Sequence, residues 1–279
     1  MENNGFYFKQ TCPKIQKGID ESIDLLREIM ELGKDIFPNL KFKEQIDKRR
    51  DVRTAIIISL FKELLERIDG ILILLEKNST LNANIILRSY IEICFDLRII
   101  LKNSGRKMAL YYMLDKRADT LAKDMYAGTD ITDGIQDIVN FISDNTELVE
   151  IQNLNIATPK DILNKIGNKK WCEFGDKSIK YKTSEDKIFY KYLCKETHGE
   201  NSMGDNFYRD NIFELRALRF PIHYEVIVCL VADYMLKIVT LLKEEFQLKE
   251  VYLNRLDSIF ELAKNILYDE EKRVIREYR

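Results

Sequence analysis

Two short runs of residues carry the chemistry this chain can offer. In Asn84-Ile85-Ile86-Leu87-Arg88-Ser89-Tyr90-Ile91-Glu92-Ile93-Cys94-Phe95-Asp96, an otherwise apolar stretch sets Asn84, Arg88, Glu92 and Asp96 every fourth residue. Helical spacing gathers these four into one slowly drifting polar stripe. A guanidinium there can hold an anion such as phosphate, with Glu92 orienting it. The plainer alternatives are a groove that meets water, or a buried ion pair knitting helices together. The second run, Tyr190-Lys191-Tyr192-Leu193-Cys194-Lys195-Glu196-Thr197-His198-Gly199, puts Tyr190, Cys194 and His198 on one helix face. A helix C-terminus favours the imidazolium, so His198 can act as general acid, general base or phosphate ligand near neutral pH. Its plainer role is a cap on the last carbonyls. Ser202, Gly204 and Asn206 follow in a polar loop that can line a site. A Cys194–His198 nucleophile pair is the weaker idea, because no third partner is evident for it.

A basic, aromatic segment precedes the second run. Residues 160 to 182 hold seven lysines against three acids, with Trp171, Phe174 and Tyr181 interleaved. Lysines such as Lys170 can follow a phosphate backbone while Trp171 stacks on a base. A solvated loop pinned by its aromatics is the commoner outcome. The cluster Lys48-Arg49-Arg50-Arg53 is expected to be an exposed helix turn, and Arg117 is also placed on a surface.

The elements that position these groups read as helices throughout. The pattern predicts helices over Pro13 to Ile36, Phe42 to Lys77, Leu81 to Lys102, Arg106 to Tyr126 and Asp133 to Glu150. A short helix follows Thr158-Pro159, and Ser184 caps one running to His198. Tyr208 to Leu218, Pro221 to Phe246 and Lys249 to Arg279 complete the series. Phe37-Pro38-Asn39 and Asn78-Ser79-Thr80 supply the stops and caps between the first three. No convincing strand alternation appears. The fold class is therefore all-α, a multi-helix bundle with long antiparallel helices, in a single domain over 1–279. Its core spans about 42–246, and the helices at 13–36 and 249–279 pack on it. Leu81 to Lys102 is the most buried helix of this picture, flanked by its two neighbours in sequence.

Composition narrows the function classes. Of 279 residues, 46% are hydrophobic and 32% charged, with only 4 prolines and 11 glycines, which suits a core-forming chain of long helices. The net charge of −2 gives no global field toward nucleic acid, so any such contact is a local patch. Five cysteines without a C-x-x-C pair suit a reducing compartment and argue against a disulfide framework. Cys94, Cys194 and Cys229 read as small core residues. The N-terminus lacks the marks of a signal peptide, and no apolar run reaches the ~20 residues that cross a bilayer. A cytoplasmic location without membrane contact is expected. Two histidines and no clustered carboxylates leave no catalytic metal site, and no cofactor is expected. There is no P-loop, G-x-G-x-x-G, H-E-x-x-H or G-x-S-x-G. The long apolar helices suit a homo-oligomer.

At its two chemical runs the chain resembles a bacterial family of helical proteins of unknown function. That family joins an R-S-x-x-E helix, here Arg88 to Glu92, to a Y-x-Y-x-(S/C)-x-x-x-H helix end, here Tyr190 to His198. Its members look similar to abortive-infection and HEPN-type (higher eukaryote and prokaryote nucleotide-binding) proteins. The resemblance implies a role in antiphage defence or a toxin system, often as a metal-independent RNase. The HEPN signature of an arginine followed closely by a histidine has one counterpart, Arg216 and His223. Pro221 between them breaks the framing helix, which makes this pair the second choice.

Two function classes follow. In the first, an RNase-type or phosphate-directed enzyme, His198 moves protons, Arg88 stabilises phosphate charge and Glu92 orients Arg88. Tyr190, Asn84, Ser202, Lys170 and Trp171 contact an RNA or nucleotide substrate. In the second, the chain is a non-catalytic sensor or partner-binding module of a defence system. The helices of the two runs are expected to pack side by side, with Arg88 or Glu92 meeting Tyr190 or His198, and the site rests on that meeting.

Overall fold

The computed structural model describes residues 13–40, 52–102, 106–148, 207–209, 212–214 and 223–269, the strand residues by backbone alone. Among them are seven α-helices: α1 (Pro13–Ile36), α2 (Val52–Glu76), α3 (Thr80–Lys102), α4 (Lys107–Tyr126), α5 (Thr132–Asp144), α6 (Tyr224–Phe246) and α7 (Glu250–Tyr268). The fold is all-α, as the sequence indicates, apart from one short pairing of β1 (Phe207–Arg209) with β2 (Ile212–Glu214). No described helix is long and apolar enough to cross a membrane.

The chain divides into two compact units, the first comprising residues 1–41, 58–98 and 183–279, the second 42–57 and 99–182. In the first unit, α1 buries Ile15, Ile19, Ile23, Leu26 and Ile29 at three- and four-residue steps, one apolar stripe of a helix. A Cβ on Gly33 would collide with Leu65 Cδ2 and sit 3.4 Å from Met235 Cε, so glycine lets α1 close on α2 and α6. Helix α2 turns into α3 through Asn78, whose φ of 53° closes the helix in the left-handed region that Asn tolerates. Ser79 N–H donates back to the Leu74 carbonyl at 2.8 Å, and the Ser79 carbonyl accepts from Ala83 N–H at 3.0 Å. Arg67 meets Ser89, and Gly70 faces Ile86, a register that runs α2 and α3 antiparallel. Helix α6 buries Ile227, Val228, Val231, Tyr234, Met235 and Ile238, and lies against α3 through Tyr90 and Phe95.

In the described part of the second unit, Gly134 brings α5 onto α4, where a Cβ would lie 2.7 Å from Leu121 Cδ1. Leu110, Leu114, Leu121, Ile138, Ile142 and Leu148 are buried. Arg106 ties the start of α4 to Glu147 at 3.1 Å and Asn145 at 3.4 Å.

Several elements differ from the sequence pattern. A helix is expected from Tyr208 to Leu218, but residues 207–214 supply two paired strands. Aromatic and β-branched residues favour extended backbone here, and Asp210-Asn211 between them is of turn-forming type. Helix α5 stops at Asp144 rather than Glu150, because Asn145 is extended and its side-chain amide donates to the Phe141 carbonyl at 2.7 Å. Helix α6 begins at Tyr224 rather than Pro221, since His223 is left-handed with φ 57°. Helix α7 ends at Tyr268, where Asp269 turns extended. The helices expected between Thr158 and His198, and residues 42–51 of the long second helix, lie outside the described residues.

Arg53 corrects a placement. It is buried, not exposed, and donates to the Ile100 and Leu101 carbonyls at 3.3–3.4 Å. The last carbonyls of α3 have no partner along their own helix and carry its negative end, which a guanidinium satisfies. Lys48, Arg49 and Arg50 lie outside the described residues. Arg117 is exposed as expected, its guanidinium over the Phe141 ring at 4.7 Å.

Candidate functional site

Helix α3 gives the candidate site its frame. Eight consecutive residues, Ile93 to Ile100, are buried, which makes its second half the all-round apolar helix the sequence suggests. Its first half is open along one edge. A four-residue step overshoots a helical turn by about 40°, so the polar stripe wanders across the surface as it climbs. Its ends, Asn84 and Asp96, are buried, Asp96 within the half that is covered all round, and its middle, Arg88 and Glu92, is not.

Arg88 Nε donates to Glu92 Oε1 at 3.2 Å, with the two side chains 25% and 39% exposed. Water thus reaches a guanidinium held by its own helix. This exposure does not fit the fully buried pair, one of the alternatives the sequence leaves open. The order, basic residue first, is the less favourable one for an (i, i+4) pair. One turn before, Asn84 is 2% exposed, and its Nδ2 has no hydrogen-bond partner among the described residues. An idle buried amide donor is costly and invites an acceptor.

The residues beside the pair are fixed. Arg67 Nε donates to Ser89 Oγ at 3.1 Å from α2. Tyr90 is fully buried, and its hydroxyl donates to the Val231 carbonyl of α6 at 2.9 Å. Burial pushes the Tyr90 phenol and the neighbouring Cys94 thiol up, so neither ionises near neutral pH and Cys94 is no nucleophile. Cys229, half-buried on α6, is pushed up to about 11, again by burial first and then by Asp233. Both cysteines are free. Phe95 meets Tyr234 edge-on at 6.0 Å between ring centres.

The remaining candidates divide. His223 is half-buried at the start of α6, and its carbonyl accepts from Val226 and Ile227 at 3.1 Å. Its backbone opens that helix. Tyr190, His198, Ser202, Lys170, Trp171 and Arg216 lie outside the described residues, as does the expected meeting of Arg88 or Glu92 with Tyr190 or His198. Cys194 lies there too. No group of three or more metal-ligating side chains is present among the described residues.

Two features escape the sequence pattern. Asp233 and Lys237 pair at 2.5 Å on α6, close enough to Cys94 to act on its thiol. Their (i, i+4) spacing is visible in the sequence, but their proximity to α3 is not. In the second unit a cleft of about 400 Å³ opens between α4 and α5, lined by Tyr112, Lys116, Arg117, Thr120, Asp124 and Asp137 among others. Lys116 lies over the Tyr112 ring at 5.3 Å. Adjacent Lys116 and Arg117 on a predicted helix are the only hint of it in the sequence.

Fold and site define an all-α helical protein with a half-open Arg–Glu pair on α3. The chain belongs to DUF5677, a family of unknown function whose model matches residues 54–213. That span holds Arg88, Glu92, Tyr190 and His198, and ends before Arg216 and His223. No curated protein and no solved structure matches the chain.

Proposed function

We propose that this chain is a bacterial defence protein that cleaves RNA without a metal ion, in the manner of HEPN-type RNases. The observation that supports this reading is the Arg88–Glu92 pair, half open to solvent on a helix whose neighbouring residues are locked to α2 and α6. A guanidinium held on a rigid frame neutralises phosphate charge at little reorganisation cost. Glu92 aims it, and the idle Asn84 amide one turn away supplies a further donor. His198 is the proton-transfer group of this reading, and Tyr190, Ser202, Lys170 and Trp171 are its proposed RNA contacts. Arg216 and His223 fall outside the family span and stay the second choice. The protein acts in the cytoplasm, as a homo-oligomer, with a protein partner of the defence system setting when it fires.

Expression in a bacterial host tests the reading. Wild type arrests growth and degrades RNA, and His198→Ala relieves the arrest while the protein stays folded. A harmless wild type that leaves RNA intact contradicts it. A second reading, a non-catalytic sensor or partner-binding module, then takes its place. It is favoured by the large apolar side chains exposed beside the pair, Leu81 and Ile85, which suit protein contact more than RNA.

A further inference from the structure

The second unit holds a cleft that the chemistry of α3 does not use. It opens between α4 and α5 with a volume of about 400 Å³, within the range of small-ligand clefts. Gly134 lies against Leu121, and Phe141, two turns on, lies under the Arg117 guanidinium, so α5 runs back along α4. Leu121 and Ile138 are buried and, with Met113, give the cleft an apolar floor. Its charges stand exposed at the rim and are sorted by sign. Lys116 and Arg117 mark one end. Asp124 shares a face with Arg117 about 10 Å further along α4, seven residues at helical rise. Asp137, on α5, stands between those two levels. Among the described residues, none of these four side chains makes an ion pair or a hydrogen bond, and the two cations sit over the Tyr112 and Phe141 rings.

We propose that this cleft binds a short peptide of about three residues with both ends charged. Its carboxylate meets Lys116 and Arg117, its ammonium meets Asp124, and Asp137 accepts a backbone N–H from its middle. An apolar central side chain rests on Met113, Leu121 and Ile138. Charge and length select this ligand. Two positive and two negative charges cancel in sum but are set apart in space, so their complement is a neutral molecule with its own charges set apart. An extended chain advances about 3.3–3.6 Å per residue, so three residues cover the distance from Arg117 to Asp124. A guanidinium takes both oxygens of a carboxylate, and an ammonium is a charge-assisted donor to Asp124. A nucleotide would satisfy Lys116 and Arg117 but bring surplus negative charge toward Asp124 and Asp137.

Isothermal titration calorimetry of the full-length chain with alanyl-leucyl-alanine tests it. The expected Kd is about 0.1 mM, the scale for a ligand of this size. The N-acetylated and the C-amidated tripeptides each bind about fivefold weaker, the scale of one exposed ion pair, and this comparison needs no variant protein. Lys116→Ala with Arg117→Ala makes amidation costless while acetylation still costs. Asp124→Asn does the reverse. Arg88→Ala binds the tripeptide as wild type does, which keeps this cleft apart from the α3 site. The proposal is overturned if the tripeptide does not bind at millimolar concentration, if the blocked peptides bind as well as the free one, or if folded variants keep both dependences. Cytidine monophosphate binding more tightly than the tripeptide, or loss of tripeptide binding in Arg88→Ala, would overturn it as well.

Discussion

The two sides of α3 behave as different materials. Toward α6, Tyr90, Cys94 and Phe95 are fully buried, tied by a phenol–carbonyl hydrogen bond and an edge-on ring contact. On the open edge, Leu81, Ile85, Arg88 and Glu92 meet solvent, and Arg88 pairs with Glu92 one turn along the same helix. The inward side holds the bundle together, and the outward side is available to something else. Polarity does not sort the two, because Asp96 and Arg98 are buried while Leu81 and Ile85 are not. Position along the helix sorts them: residues 93–100 are buried all round, and the open edge belongs to the first half.

The largest expected effect lies on the inward side. Tyr90→Ala removes a fully buried aromatic ring and should cost about 3–5 kcal/mol of stability, and Tyr90→Phe, which loses only the hydrogen bond, about 1 kcal/mol. Arg88→Ala on the outward side should change stability by no more than about 0.5 kcal/mol, the scale of an exposed pair in its less favourable order. Urea unfolding of the three variants measures this. Equal losses at positions 88 and 90 would erase the distinction.

A smaller contrast separates two arginines that look alike in the sequence. Arg53→Ala removes a buried guanidinium from the C-terminal carbonyls of α3 and should cost about 1–3 kcal/mol. Arg117→Ala gives up one exposed ring contact and should cost about 0.5–1 kcal/mol. The reverse ranking of the two melting temperatures would show that Arg53 is not the helix-end ligand its geometry indicates.

The smallest effect is one of pH. Burial raises the folded Cys229 thiol from 9.0 to about 11 and pushes Cys94 up further. Raised folded values contribute stability that is complete below the unfolded value. That stability is lost as pH rises from about 9 through the folded value. A thiol reagent at pH 8 should label Cys229 slowly and Cys94 more slowly still, both far behind the unfolded chain, as peptide mass spectrometry would resolve. Rapid native labelling of Cys94 would contradict its place in the core.

Much of the helical architecture is legible in the sequence, because three- and four-residue apolar spacing is a local signal. Ile15 through Ile29 of α1 show it directly, as does the Asn78 stop. What escapes is set by long-range contacts. Arg53 sits in a basic cluster that reads as solvent-facing, and only the distant end of α3 makes it a buried ligand. The span Phe207 to Glu214 offers apolar residues that serve a helix or a strand, and pairing decides. Of the candidate site, the Arg88–Glu92 pair and its shared face are readable from spacing. Which part of the stripe reaches water is not, since that depends on how α2 and α6 cover α3.

The central claim is that the outward edge of α3 works on RNA. Cleavage of a labelled single-stranded RNA by the purified chain in excess chelator tests it most directly, with Arg88→Ala measured beside wild type at matched thermal stability. The expected result is metal-independent cleavage by wild type, reduced about 100-fold or more in Arg88→Ala, the scale of losing one charge-stabilising donor. Intact RNA with wild type, or equal cleavage by both proteins, would contradict the claim.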